Sequence, residues 1–521
     1  MLPGSPDGAI PGYITIFRLV LQTFQDCNNK SRDQKKTKKE KKKRVHRDSR
    51  SMSSSVRSGI VTLLHTACGA GILAMPYAFK AYGLLPGFLV LVLCGVFSTI
   101  GLLLQGQVSK YVSRRQASFF SLAQITYPQL SVIFDLAIAV KCLGVGVSYM
   151  VVIGDLLPQI FSNFTSHEIL LERNFHITVV MLFIVAPLCF MKRLDSLRYA
   201  SMIAISAVGY LCVLVVAHFL FPSQEIKDLK GTVSLFRPKG LHTSMLSSFP
   251  IFVFAYTCHH NTFSIVNELK DNSVENVRKV VMGAMGLAMC LYIAIGGSGY
   301  GTFGDNIGGN IIMLYPHSTS ATVGRIAIVL LVMLAFPLQC HPARASINHI
   351  IHHLFEERRG GAQNGEERES NAASKNRTDE STGNGNGNTE SSRLVQSTET
   401  SIPVDELIEE CSARQPKVVP LEGRKFVVIT SCILIFSYAL AVSVTSLARV
   451  LAVVGATGST SISFILPGIF GYQLIGSEYE NTSEMPWKTR WTKYIALALT
   501  CWGLVVMVTC LSATLLSGAS H

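Results

Sequence analysis

Runs of about 20 apolar residues recur along this chain between residues 58 and 517, separated by short polar stretches that hold most of the charge. At 1.5 Å per residue such a run crosses the roughly 30 Å hydrocarbon core of a bilayer, so each predicts a membrane-spanning helix. Eleven are counted, near 58–82, 84–107, 133–157, 175–192, 197–221, 243–267, 277–301, 322–350, 425–446, 449–475 and 491–516. Two of them are interrupted in the middle. The first, SGIVTLLHTACGAGILAMPYAF, breaks at Cys68-Gly69-Ala70-Gly71. The sixth, SMLSSFPIFVFAYTCHHNTFSIVNEL, is apolar on both sides of Ala255-Tyr256-Thr257-Cys258-His259-His260-Asn261.

An unpaired backbone group in hydrocarbon costs several kcal/mol, so a mid-membrane break survives only where it faces a cavity or is buried in protein. Both interruptions therefore predict a site. Gly69 and Gly71 let the backbone leave helical geometry without a Cβ clash. A helix restarting at Ile72, with Pro76 in an early turn, would offer free N–H groups and a partial positive charge to an anion. Glycine spacing alone fits close helix packing equally well. The two histidines and the asparagine of the sixth run need partners or water, and intramembrane polar groups normally face the interior.

Composition narrows the class. Of the 521 residues 49% are hydrophobic and 15% charged, which with the recurring runs makes an all-α polytopic membrane protein. The net charge of +13 does not mark a nucleic-acid binder, because it is concentrated in one tail and in alternate loops. Lys30 to Arg50 carries twelve Lys or Arg against three acids, which suits a solvated cytosolic tail and, as a sharper reading, contact of residues 30–50 with anionic lipid headgroups. The organised sequence begins abruptly at Ser55-Val56-Arg57, which makes Met52 a candidate physiological start. With a cytosolic tail, the even loops are also cytosolic: Lys110, Arg114 and Arg115 occupy one, Lys192, Arg193 and Arg198 the next, then Lys270, Arg278 and Lys279. The C-terminus is then lumenal. The sequon Asn163-Phe164-Thr165 falls on the lumenal side, whereas Asn376 and Asn481 fall on the cytosolic side and should stay bare. Eleven of thirteen cysteines lie in or beside apolar runs, so no disulfide framework is implied. The expected organisation is a basic disordered tail over 1–57, spans over 58–355, a polar disordered cytosolic insert over 356–423 with the repeat Gly383-Asn384-Gly385-Asn386-Gly387-Asn388, and the last spans over 424–521.

Four stretches carry a family resemblance. Gly69-Ala70-Gly71-Ile72-Leu73-Ala74-Met75-Pro76-Tyr77-Ala78-Phe79 resembles the first-span signature of the amino acid/auxin permease family. Phe254-Ala255-Tyr256-Thr257-Cys258-His259 resembles its sixth-span motif. Lys141-Cys142-Leu143-Gly144-Val145-Gly146-Val147-Ser148-Tyr149 with Gly154-Asp155, and Phe336-Pro337-Leu338-Gln339-Cys340-His341-Pro342-Ala343-Arg344, resemble the third and eighth spans of the fungal vacuolar branch. The resemblance covers about 58–350 and 424–517. It implies a LeuT-like 5+5 inverted repeat with an eleventh transmembrane helix, carrying amino acids across the vacuolar membrane in symport with protons, from lumen to cytosol. A sensor that binds an amino acid without moving it, and an antiporter that loads the vacuole, remain alternatives.

On that fold, the substrate carboxylate meets backbone N–H groups of Gly69, Ala70, Gly71 and Ile72, and its ammonium meets carbonyls around Phe254, Ala255, Tyr256 and Thr257. Side-chain selection falls to Tyr256, Cys258, Gly144 and Ser148. The proton-coupling candidates are His65, Lys141, His259 and His260; histidine titrates between an acidic lumen and a neutral cytosol, and Lys141 could stand in for a bound cation or pair with Asp135 or Asp155. For each, an interior hydrogen bond without transport duty is an equal reading. His341 and Arg344 read as orientation or gate residues near the cytosolic end of the eighth span, with Arg344 snorkelling to the interface. His349, His352 and His353 share a helix face, but with no acid or cysteine expected beside them no metal is predicted, and no cofactor. HExxH, GxSxG and GxxxxGK[ST] are absent, which argues against an enzyme.

Overall fold

The computed structural model describes residues 54–191, 197–236, 243–378, 421, 423–479 and 485–519. The helices in chain order are α1 (Val56–Ala67), α2 (Gly71–Tyr82), α3 (Leu84–Val108), α4 (Phe119–Thr126), α5 (Ser131–Phe161), α6 (Arg173–Phe190), α7 (Leu197–Leu220), α8 (Thr243–Ala255), α9 (Thr262–Glu268), α10 (Val274–Phe303), α11 (Thr319–Thr378), α12 (Arg424–Ser443), α13 (Leu447–Leu474) and α14 (Trp487–Ala519). No strand occurs among the described residues. The protein is a polytopic all-α membrane protein. Nine of these helices are long and apolar enough to cross a bilayer, and α1 with α2 forms a bent pair that brings the count to ten. The remaining expected run, 243–267, appears as α8 and α9, two short helices separated by six residues, Tyr256 to Asn261.

The break in the first run lies where glycine and cysteine interrupt the hydrophobic pattern: α1 ends at Ala67, α2 starts at Gly71, and their axes diverge by 56°. The next turn is set by Gly83, whose φ of 84° is a left-handed conformation that favours glycine and lets α3 fold back directly. The span from Leu447 to Leu474 is not a plain α-helix. Two wide π turns, Gly455–Ser459 and Ser461–Ile465, interrupt it, and such turns rotate the following side chains relative to an ideal helix.

Burial sorts the spans. The most apolar windows of α13 and α5 are 83% and 72% buried, whereas that of α14 is 28% buried and turns most of its surface to lipid. The long helices α5 and α11 pack along one another, and α13 is pressed against α5 so closely that a Cβ at Gly458 would lie 2.7 Å from Lys141 Cα. The polar stretch between α3 and α5 carries a helix that hydrophobic counting passes over, α4, opened by a capping box in which Ser118 and Ser121 each accept the other's backbone N–H.

Among the described residues, Ser54 and Ser55 group with Glu268–Lys270 as a second small unit. In its described part Ser54 and Leu269 form a parallel bridge: Ser54 N–H donates to Glu268 O at 2.9 Å, and Lys270 N–H to Ser54 O at 3.1 Å. The basic tail with Met52, loop residues Lys192 and Arg193, the glycine-asparagine repeat and Asn481 all lie outside the described residues. The helix α11 continues to Thr378, twenty-odd residues into the polar insert.

Candidate functional site

The two breaks meet. A Cβ built on Gly71 would lie 2.9 Å from Ala255 Cα, 3.1 Å from Ala255 Cβ and 3.1 Å from the Phe254 ring. A Cβ on Gly69 would lie 2.9 Å from the Tyr149 hydroxyl of α5. Neither glycine has a positive φ. Backbone freedom, expected from the sequence, is therefore not what requires glycine here: the end of α8 and a tyrosine ring occupy the space a side chain would need.

At the first break Cys68 N–H donates to Leu64 O (2.9 Å), Gly69 N–H to Ala67 O (2.8 Å), Ile72 N–H to Gly69 O (3.3 Å) and Leu73 N–H to Ala70 O (3.2 Å). Of the four donors expected to hold a carboxylate, Gly69 and Ile72 are thus engaged. The N–H groups of Ala70 and Gly71 have no acceptor among the described residues, and they stand at the N-terminal, partially positive end of α2.

The second break is held on the carbonyl side. Thr257 N–H donates to Phe254 O and Cys258 N–H to Tyr256 O, both at 3.0 Å. Ala255 O accepts the hydroxyl of Tyr292, a residue of α10, at 2.7 Å, and the same hydroxyl lies 2.9 Å from Ala67 O at the end of α1. Phe254 O, Ala255 O and Tyr256 O each keep a second lone pair, whereas Ala67 O also accepts the Gly69 N–H. The Tyr292 ring meets Tyr256 edge to face, with centroids 5.0 Å apart. Tyr256 itself faces α3, where a Cβ on Gly95 would lie 3.1 Å from its hydroxyl.

The ionisable candidates separate into distinct surroundings. His65 Nδ1 lies 3.0 Å from the Ser201 hydroxyl of α7. Lys141, 2% exposed, places Nζ 2.8 Å from His260 Nδ1 and donates to Gln339 Oε1 at 3.3 Å. Neither acid offered as a partner for Lys141 is paired with it: Asp135, which intrahelical spacing already disfavoured, lies 3.6 Å from His349 Nδ1, and Asp155 lies 3.6 Å from Arg173 Nε. Both acids sit a turn or more along α5 from Lys141, and each is taken by a basic group from another helix. His259 contacts Ser98 O at 3.0 Å through Nε2 and the Ser463 hydroxyl at 3.1 Å through Nδ1. Asn261 Nδ2 donates to Thr66 Oγ1 at 3.2 Å, tying the second break to α1.

Other positions fall elsewhere. Ser148 Oγ donates to Val145 O in its own helix at 2.7 Å, and Gly144 faces Val454 of α13. Their neighbour Tyr149 is the α5 residue that reaches the first break. Cys258 is fully buried. Arg344 does not snorkel: it is 6% exposed, Nη1 donates to Cys189 O and Thr430 Oγ1, each at 3.1 Å, and the guanidinium lies 4.3 Å from the centre of the Phe426 ring. The expectation of no acid beside His349 is also corrected by Asp135, with the imidazole stacked on Phe120 at 4.2 Å.

Tyr292 and Ser463 went unnoticed in the sequence, and Tyr149 entered only as the end of the third-span motif. Tyrosine and serine in apolar runs carry no spacing signal of their own. Only their own burial marks them.

Comparison with known proteins bears on this arrangement directly. The family model described as "Transmembrane amino acid transporter protein" matches residues 52–515. The chain belongs to this family. Its members are transporters and not enzymes. Among its relatives, "Vacuolar amino acid transporter 6" of Saccharomyces cerevisiae is 57% identical over 465 residues, covering 89% of this chain and 99% of that protein. "Vacuolar amino acid transporter 5" of the same yeast is 49% identical over 496 residues, covering 90% and 100%. "Sodium-coupled neutral amino acid transporter 7" of Danio rerio is 27% identical over 300 residues, covering 56% and 63%. The permease resemblance drawn from four short stretches thus extends over most of the chain.

Proposed function

We propose that this protein is a secondary transporter that moves amino acids across the vacuolar membrane, coupled to protons and directed from lumen to cytosol. The observation that carries the reading is the contact of Gly71 with Ala255, which brings two interrupted helices together in the protein interior. Unpaired N–H groups at Ala70 and Gly71 suit a carboxylate, and the carbonyl-rich end of α8 suits an ammonium. Every amino acid carries both groups at fixed separation, so this frame reads the shared part of the substrate. The names of the yeast relatives supply the vacuole and the substrate class.

A LeuT-like inverted repeat of five and five spans accounts for breaks in the first and sixth spans that face each other. The eleventh helix, α14, is the least buried and suits an addition at the periphery. The basic tail faces the cytosol and the Asn163 loop faces the lumen, with residues 30–50 near anionic lipid. His65, Lys141, His259 and His260 are the groups available to carry the coupling proton.

The test is counterflow and net uptake of each common amino acid in proteoliposomes under a pH gradient of either sign. Export coupling requires accumulation on the side toward which protons flow. Accumulation against proton flow establishes the antiporter, and binding without counterflow establishes a sensor.

A further inference from the structure

Resting on the proton-coupled reading, we infer that the coupling proton is carried on Nδ1 of His259 and that the Ser463 hydroxyl relays its presence to Thr257 in the break between α8 and α9. Ser98 O can only accept, so the contact at 3.0 Å requires a proton on His259 Nε2. The state of the imidazole is then decided at Nδ1, which lies 3.1 Å from Ser463 Oγ. That oxygen also lies 3.1 Å from Thr257 Oγ1, and Thr257 Oγ1 lies 2.7 Å from Val253 O.

These atoms form a chain with two settings. With Nδ1 bare, the single hydrogen of Ser463 is drawn to it, and Thr257 receives nothing from Ser463. With Nδ1 protonated, the imidazolium donates to Ser463 Oγ, Ser463 must turn its hydrogen to Thr257 Oγ1, and Thr257 is committed to Val253 O. One N–H bond forms at Nδ1 and no other covalent bond changes. The outcome is written on the last turn of α8 and on the segment whose carbonyls suit the substrate ammonium. Such a two-state hydrogen-bond element is what coupling between a proton and a ligand requires.

The surroundings are consistent with a group that has to let its proton go. His259 is fully buried and its facing groups are Ser98 O from α3, Ser463 from α13, and Thr257 and His260 on its own segment. Lys141 of α5 is the cation beside this segment, with Nζ 2.8 Å from Nδ1 of the adjacent His260. No carboxylate pairs with His259 among the described residues. Ser463 is placed by the second π turn of α13, and Gly101 of α3 makes room for both partners: a Cβ there would clash with Ser463 O and come within 2.9 Å of His259 Nε2.

The experiment compares wild type, Ser463→Ala, Ser463→Thr and His259→Gln in proteoliposomes. One proton per substrate at a gradient of one pH unit supports about tenfold accumulation. The expected result is that Ser463→Ala retains counterflow of labelled amino acid but loses gradient-driven accumulation and flattens the pH profile of uptake. Ser463→Thr, which keeps the hydroxyl, restores both, and His259→Gln behaves like Ser463→Ala. Wild-type accumulation and pH profile in Ser463→Ala would overturn the relay while leaving amino acid transport intact. Absence of counterflow in the wild type would instead remove the transport reading. A second measurement needs no transport: nitrogen NMR of His259 as the pH is lowered from about 8 to about 3 should show Nε2 protonated throughout and Nδ1 gaining a proton. An Nδ1 that does not change over that range overturns the proposal by itself.

Discussion

The hydroxyl of Tyr292 donates to the carbonyl oxygen of Ala255 across 2.7 Å, at the C-terminal end of the half-helix α8. The carbonyl of Ala67, at the end of the half-helix α1, lies 2.9 Å from the same oxygen. One hydrogen serves two acceptors. The last carbonyls of a helix have no partner within it and carry its partial negative charge; Ala67 O already accepts the Gly69 N–H, so the hydroxyl offsets that cost chiefly at Ala255. Tyr292 thereby fixes the separation of the two half-helices that frame the candidate site.

Tyr292→Phe removes that donor and changes little else in volume. Leaving a buried carbonyl unpaired costs about 1–3 kcal/mol. The expected outcome is a fall in transport of roughly tenfold or more in kcat/KM, with the protein still folded and sorted. Initial uptake rates over a range of substrate concentrations check it. Unchanged kcat/KM would mean that the two ends hold their spacing without the tyrosine.

Gly71 and Gly286 make a matched pair of positions. Any Cβ on Gly71 lands 2.9 Å from the Ala255 Cα, a backbone atom that cannot swing away, whereas a Cβ on Gly286 meets nothing within 4 Å. Gly71→Ala is expected to abolish uptake, and Gly71→Ile to do so with the protein still reaching the membrane. Gly286→Ala removes the entropic penalty of glycine within α10 and should stabilise by about 0.5–1 kcal/mol without loss of transport. Thermal unfolding in detergent and uptake on the same preparations separate the two effects.

The eleven hydrophobic runs mark where helices form because length and apolarity are local properties. Both interruptions were legible for the same reason: glycine, histidine and asparagine stand out against leucine and valine. The contacts around them were not. Lys141 could not be assigned to His260 and Gln339, since those partners lie 119 and 198 residues away and nothing in spacing links them. Asp135 and Asp155 were the nearest acids in sequence, yet helices α11 and α6 supply each with a closer base. The π turns of α13 escaped because a widened turn depends on what packs beside it and leaves no compositional trace.

Arg173 and Asp155 share an ion pair at 3.6 Å, but they do not contribute equally. Arg173 Nη2 also donates to Ala441 O at 3.0 Å and Val444 O at 2.9 Å, filling carbonyls at the C-terminal end of α12. Asp155→Asn removes one partner of a partly screened pair, whereas Arg173→Ala removes the pair and the cap together. The expected loss of stability is larger for Arg173→Ala, by about 1–2 kcal/mol. Thermal unfolding of both variants measures the difference, and equal losses would reduce Arg173 to its ion pair.

Arg344 offers a test between a gate and a staple. A gate residue near the cytosolic mouth should change transport with little effect on stability. Arg344 instead joins three helices from a buried position: Nη1 reaches Cys189 O of α6 and Thr430 of α12, while the guanidinium plane covers Phe426. Lysine keeps the charge but lacks the planar fork and the ring-stacking face. Arg344→Lys is therefore expected to lower stability by about 1–3 kcal/mol, read as a drop in melting temperature. Uptake per folded molecule should stay near that of the wild type. Phe426→Leu, which removes the ring but keeps an apolar side chain, should lose a smaller amount, about 0.5–2 kcal/mol. A variant with unchanged melting temperature and altered uptake kinetics would restore the gate.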